Sequence, residues 1–233
     1  MRFRYEKKYL LSNQAAETLK RRVSAVLSPD SHSGGVYTVH NLYLDDLNDS
    51  FYREKSRGSL IRDKYRARFY NGDLSFIRLE RKHKEGELSY KESAALTEGQ
   101  YHDLLAGRLD FTLDSPDPLL SALGTLHRLR GMRPAAAFTY RREAYVYPTG
   151  NVRVTFDSGI AEDELPKTAG GARGVLEVKY DHFLPSVISG LLSGVTLAQT
   201  EMSKYGYVRE KGRLLYVGLP EGTLIQPLAS RQP

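Results

Sequence analysis

Along residues 2–11 polar and apolar side chains alternate: Arg2, Arg4, Glu6 and Lys8 fall on one side, Phe3, Tyr5, Tyr9 and Leu11 on the other. That period is the period of a β-strand. It then changes. Behind a Ser12 or Asn13 cap, Leu19, Val23, Val26 and Leu27 recur at helical spacing. A loop over 29–35 leads to a strand over 36–46, and a short helix over 49–57 ends near Gly58. Strands follow over 62–70, 73–84 and 87–96, the last two joined by a turn at Glu85-Gly86. Thr97 with Gln100 reads as a capping box for a helix over 98–106, and Asp117-Pro118 opens another over 118–130. Strands over 135–147 and 151–157 are split by Pro148-Thr149-Gly150. A loop over 164–173 and a strand over 174–181 come next, and Pro185 opens a last short helix, 185–193. The expectation is an α+β chain with an antiparallel sheet, open or closed into a ring, forming one domain over 1–218 with a loose tail over 219–233.

The strands share an unusual feature. In RDKYRARFY, residues 62–70, four cations occupy every second position: Arg62, Lys64, Arg66 and Arg68. Arg78, Glu80 and Lys82 share a face of the next strand, Arg153, Thr155 and Asp157 one of a later strand, and Glu177 and Lys179 one of the last. Opposite them stand Tyr65 and Phe69, or Val152, Val154 and Phe156. Two arrangements fit: a sheet with a wet outer face, or a ring whose apolar faces meet the helices and whose charges line a lumen. A dry lumen lined with cations would be prohibitively unstable, so the second arrangement requires water or a polyanion inside.

Bulk properties sharpen this modestly. The 233 residues carry a net charge of +6, which favours anionic partners. With no cysteine, disulfides and thiolate metal sites are excluded. No apolar run reaches the length of a membrane span, and the charged N-terminus lacks a signal-peptide core, so the expected location is cytoplasmic. No Walker loop, GxGxxG or Ser-His-Asp set is present.

The segments RYEKKY (4–9), YREKSRG (52–58), KYRARFY (64–70), LERK (79–82), SYKES (89–93), YRREAY (140–145), VRVTFD (152–157), VLEVKY (175–180) and SKY (203–205) occur in an order that resembles the VTC (vacuolar transporter chaperone) polyphosphate polymerase domain. That family lies within the CYTH, or triphosphate tunnel metalloenzyme, superfamily. The resemblance implies an antiparallel eight-stranded β-barrel tunnel with helices packed outside, basic side chains gripping a phosphate chain, and acidic ones holding Mn²⁺ or Mg²⁺. Carried over by motif, the phosphate-binding residues are Lys8, Arg53, Arg66, Arg68, Lys82, Lys91, Arg142, Arg153, Ser203 and Lys204. Among these, Lys204, Lys91, Arg66 and Arg68 are the expected catalytic group. Glu177 is the expected metal ligand, helped by Glu6 or Glu80. Arg53 matches less closely, because spacing in that region varies. Arg141 and Arg142 cannot both face inward on a regular strand.

Each assignment has a plainer reading. Glu177 beside Lys179 fits a salt bridge across the tunnel, Lys204 a helix cap, Asp157 a residue that orients Arg153, and Asp45-Asp46 a turn. One departure matters: the superfamily's first-strand E-x-E-x-K has Arg4 in its first acidic place. This counts against a two-metal hydrolase. The leading expectation is a metal-dependent polyphosphate polymerase that transfers the terminal phosphate of ATP, or another triphosphate, onto inorganic polyphosphate. The alternatives are a tripolyphosphate hydrolase and a non-catalytic polyphosphate-binding module. Nucleic acid is disfavoured, since the cations lack an exposed aromatic stacking platform.

Overall fold

The computed structural model describes residues 3–31, 35–160 and 174–210. Eight long strands carry the fold: β1 (Arg4–Leu11), β3 (Val36–Asp45), β4 (Ile61–Tyr70), β5 (Asp73–Glu85), β6 (Leu88–Leu96), β7 (Arg133–Tyr147), β8 (Val152–Ser158) and β9 (Gly174–Tyr180). Two-residue strands β2 (Ser28–Pro29) and β10 (Ala198–Gln199) pair with β7 and β1. The eight long strands run β1-β6-β5-β4-β3-β7-β8-β9, every pair antiparallel, and β9 returns to β1 over seven residue pairs from Tyr5↔Tyr180 to Leu11↔Gly174. Among the described residues the sheet therefore rings round on itself and leaves no long open edge. Its thinnest seam is β1–β6, joined through Arg4↔Ser89 and Tyr5↔Leu88.

Closure explains the alternation. Leu42 and Leu44, Tyr65, Ala67 and Phe69, and Ile77 and Leu79 point outward, where α3 (Glu98–Leu105) and α4 (Pro118–Arg130) cover them through Tyr101, Leu104, Leu119, Leu120 and Leu123. Elsewhere α1 (Asn13–Ser24) buries Ala15, Leu19 and Val23 on Val154, Phe156, Leu176 and Val178, beside Ile188 of α5 (Ser186–Leu192). Each Val, Leu, Ile or Phe side chain among these contributes roughly 1.5–3 kcal/mol on leaving water. Val26 does not join them and is exposed, because α1 ends at Ser24.

Local chemistry sets the helix limits. The Ser12 hydroxyl accepts from the Ala15 N–H at 3.2 Å. Thr97 and Gln100 form the reciprocal box, at 3.2 and 2.9 Å. Asp117 accepts from the Leu119 N–H at 2.8 Å with Pro118 at the first helical position, and Gly131, at φ 66°, closes α4 in the left-handed conformation. Asn71 and Gly72 both take positive φ, 52° and 74°, as the tight turn between β4 and β5 requires.

Two further helices shape one end of the ring. α2 (Ser50–Ser56) follows β3, and α6 (Lys204–Glu210), which sequence periodicity does not predict, lies near the start of β7. Asp45 ties them together: its Oδ1 accepts from the Phe51 N–H at 3.0 Å, and its Oδ2 from the Tyr205 hydroxyl at 2.5 Å. Asp46 accepts from the N–H groups of Asn48 and Ser50. The acidic pair thus has the turn role. The opposite end of the ring carries the Asn71-Gly72 turn. The loop expected at 164–173 and the tail after 218 lie outside the described residues.

Candidate functional site

Side chains of one parity meet inside the ring. On β1 these are Arg4, Glu6 and Lys8; on β4 Lys64, Arg66 and Arg68; on β5 Glu80 and Lys82; on β9 Glu177 and Lys179. They surround a cavity of about 370 Å³ lined by eleven basic side chains against three carboxylates. Such a surplus cannot sit in a dry space, so the lumen is built for water and an anion.

The charges are organised around three acidic centres. Glu80, 2% exposed, accepts from Arg66 Nε at 2.8 Å and Nη2 at 2.7 Å, and from Lys91 Nζ at 2.6 Å. The Arg68 guanidinium stands 4.0 Å away and donates to the Asn41 amide oxygen at 2.9 and 2.7 Å and to the Tyr140 hydroxyl at 3.1 Å. Glu6 meets Lys82 at 2.6 Å, Lys8 at 2.8 Å and Lys179 at 3.6 Å. The third centre joins β7, β8, β9 and α6. Arg142 forks onto Asp157 at 2.6 and 2.7 Å, and Lys204 bridges Asp157, at 2.7 Å, to Glu177.

Burial and pairing pull the ionisations in opposite directions. For Glu6, Glu80 and Glu177 burial favours the neutral acid, yet the surrounding cations win and hold each carboxyl well below the usual range. Lys204 is likewise buried, but Asp157 and Glu177 hold its ammonium above the ordinary lysine value. Lys82 and Lys179 show the reverse balance: burial dominates, and Lys179 is pushed down to about 8 although Glu6 and Glu177 flank it.

In the lumen wall two buried polar atoms, Arg153 Nε and the Thr155 hydroxyl, have no hydrogen-bond partner among the described residues. Arg153 uses its Nη2 on Asp30, at 2.6 Å, and on the Tyr37 hydroxyl, at 3.2 Å. An orphaned donor in a protein interior costs about 1–3 kcal/mol unless a ligand or water meets it.

The residue set also bears on a metal ion. No group of three or more His, Asp or Glu side chains among the described residues is arranged to hold one. Two carboxylates do converge: Lys179 Nζ sits 3.6 Å from Glu6 Oε2 and 3.7 Å from Glu177 Oε2, a cation held between two acids at more than hydrogen-bond length. Two carboxylates suit Mg²⁺ or Mn²⁺ when phosphate oxygens complete the shell.

Of the site residues expected from the motifs, Lys8, Arg66, Arg68, Lys82, Lys91, Arg142, Arg153, Ser203, Lys204, Glu6 and Glu177 all line this lumen. Arg142 faces inward and Arg141 outward. Arg53 is the exception: it is exposed on α2 and does not line the lumen. Asp157 does not orient Arg153, since it holds Arg142 and Lys204. Lys204 starts α6 and sends its ammonium inward. Glu80 is occupied by Arg66 and Lys91. The motifs do not single out Tyr43, Lys64 and Tyr140 as site residues, yet strand parity alone places them on the inward face. The aromatic filling of one side was also missed, with Tyr43 stacked between Phe138 and Tyr205 at 5.5 and 4.8 Å.

Solved structures share this architecture. HpAC1 from Hippeastrum, a candidate adenylyl cyclase described as having a dominant triphosphatase activity, superposes with a TM-score of 0.58 at 17% identity, over 93% of this chain and 98% of that one. A candidate adenylate cyclase from Bacillus halodurans gives 0.51 at 14% identity, over 90% and 98%. No curated protein matches the sequence. No helix among the described residues is long and apolar enough to cross a membrane. The model of the VTC domain matches residues 3–210, so nearly all of the ring, from β1 to α6, is covered by one family. The chain belongs to the VTC domain family and has the tunnel fold of the CYTH, or triphosphate tunnel, proteins.

Proposed function

We propose that this chain is a polyphosphate polymerase, which transfers the terminal phosphate of a nucleoside triphosphate such as ATP onto the end of a polyphosphate chain held in the lumen. The observation that carries the reading is the excess of eleven cations over three acids around one cavity, with Arg153 Nε and the Thr155 hydroxyl unpaired in its wall. Phosphoryl transfer asks a protein mainly for position and charge neutralisation. Arg66, Arg68, Arg142 and Arg153 offer planar donors to phosphate oxygens, and Lys8, Lys82, Lys91 and Lys204 offer point charges, with Ser203 as a hydroxyl donor. In the reaction a chain-end phosphate oxygen forms a bond to the terminal phosphorus of the donor. The bond from that phosphorus to its bridging oxygen breaks, and a nucleoside diphosphate leaves.

Lys204 is the best-placed catalytic cation, because α6 and the Asp157–Glu177 pair fix its ammonium in the lumen wall. Glu177 and Glu6 are the residues that would hold a Mg²⁺ or Mn²⁺ ion. Such an ion would neutralise charge on the transferring phosphoryl group.

Incubating the purified chain with ATP and Mn²⁺ and resolving products on a gel tests this. Polyphosphate that lengthens with time, and that disappears with a chelator, is the expected result. Phosphate release from tripolyphosphate without chain growth would assign hydrolysis instead. Tight, salt-sensitive polyphosphate binding without turnover under any metal would leave a binding module.

A further inference from the structure

The two mouths of the lumen have opposite chemistry. At the α6 end lies a small vestibule of about 50 Å³ lined by Lys8, Arg62, Lys64, Lys82, Lys84, Glu201 and Ser203. It adjoins the lumen, sharing Lys8, Lys64, Lys82 and Ser203 with its lining, and among the described residues its five cations face one acid. At the other end, beside the Asn71-Gly72 turn, lies a larger cavity of about 600 Å³ that adjoins the lumen and shares Tyr70 and Arg153 with its lining. Among the described residues its walls are Tyr37, Tyr70 and Phe76, with Asn71, Asp30 and Asp73, and Arg153 is the one cation in that lining.

That second cavity is wrong for a polyanion. Its single guanidinium is already paired with Asp30 at 2.6 Å, and Asp73 adds another negative charge. What it offers is aromatic surface with hydrogen-bonding groups at the edge. The Tyr37 and Tyr70 rings meet edge to face, 5.7 Å apart. Phe76 is 52% exposed although apolar, and the Arg78 guanidinium backs its ring at 4.7 Å. A volume in the range of small-molecule sites, apolar walls and a few polar groups suit an uncharged heteroaromatic ligand. Arg153 stands at the junction with its Nε unpaired, where the first phosphate after such a ligand would pass.

We infer that this cavity binds the nucleoside of the triphosphate donor, with the base against Phe76 and Tyr70 and the phosphates running past Arg153 into the lumen. The inference rests on the reading of the lumen as a triphosphate site, and it adds a polarity. The donor enters base-last at the Asn71-Gly72 mouth, and the basic vestibule at the α6 mouth is left for the polyphosphate chain.

The test is calorimetric titration of the full chain with ATP and, separately, with inorganic tripolyphosphate, comparing the unaltered protein with Phe76→Ala. Phe76 is exposed, so its truncation leaves the core intact. Loss of one stacking aromatic should weaken ATP binding roughly fivefold to a hundredfold and leave tripolyphosphate binding unchanged. Ligand-observed saturation-transfer NMR with ATP provides the second readout, with transfer to the base protons in the unaltered chain and its reduction in the variant. Equal effects on the two ligands, no effect on ATP, no transfer to the base, or no binding of either ligand would each overturn the inference. Because neither ligand has to turn over, the two readings fail separately. Base-dependent ATP binding without polymer formation removes the polymerase and keeps the nucleoside site, whereas polymer formation with ATP affinity indifferent to Phe76 does the opposite.

Discussion

Replacing Glu80 by Gln separates the structural duty of the lumen from its capacity for a ligand. Glu80 is 2% exposed and accepts three charge-assisted bonds, two from Arg66 and one from Lys91, with Arg68 4.0 Å away. The amide keeps the shape and removes the charge. Arg66 retains the Tyr43 hydroxyl at 2.9 Å and Arg68 retains Asn41 and Tyr140, but Arg66 Nε and Nη2 lose their anion. Breaking a buried ion pair from one side costs about 3–5 kcal/mol. For a chain of this size that corresponds to a fall in Tm of about 6–20 °C. A polyanion in the lumen would supply the missing negative charge, and it would no longer compete with Glu80 for Arg66. Tripolyphosphate should therefore raise the Tm of the variant by more than it raises that of the parent. The parent's own gain is about 2.7 kcal/mol at a hundred times Kd. The assay is thermal unfolding followed by circular dichroism, with and without tripolyphosphate at fixed ionic strength. Equal ligand-induced shifts in the two proteins, or a variant as stable as the parent without ligand, would refute the reasoning.

Three other outcomes are expected. Thr155→Val removes a buried hydroxyl that has no partner, so it should raise stability by about 1 kcal/mol in urea unfolding while weakening tripolyphosphate binding; a loss of stability would contradict the assignment. Lys204→Met should lower polyphosphate synthesis by about 10²–10³-fold, measured at a temperature where circular dichroism shows the variant folded, and activity near the parent's would exclude Lys204 from the chemistry. The folded-state values of Glu6, Glu80 and Glu177 lie below their unfolded value of 4.5. The unfolded chain therefore takes up protons first, and the stability these acids contribute is complete above about pH 4.5 and lost as pH falls toward the folded-state values. Urea midpoints measured from pH 6 to 3 should fall accordingly, less steeply in Glu80→Gln, and a flat profile would count against the pairing.

Much of this molecule is written in its local pattern. The two-residue period of RDKYRARFY separates Lys64, Arg66 and Arg68 from Tyr65, Ala67 and Phe69, and those sets do face the lumen and the helices. The caps at Ser12, Thr97 and Asp117 set helix starts through bonds spanning two or three residues, which a sequence displays directly. Motif order then named most of the residues that meet inside the ring. What remained undecided was pairing. Parity fixes the face of a strand, but the partner across a lumen depends on register and closure, which join residues far apart in the chain. Asp157 could not be assigned to Arg142 and Lys204 rather than to its neighbour Arg153 until β7, β8 and α6 were assembled. Nor could the position of Arg53 outside the lumen be known, because it depends on how α2 leaves β3. The sequence by itself determined which side chains share a face of a strand; only the tertiary structure decided that the charged faces turn inward, which charges neutralise one another and which are left for a ligand, because that balance depends on closure of the ring and on distances of a few ångströms between its strands.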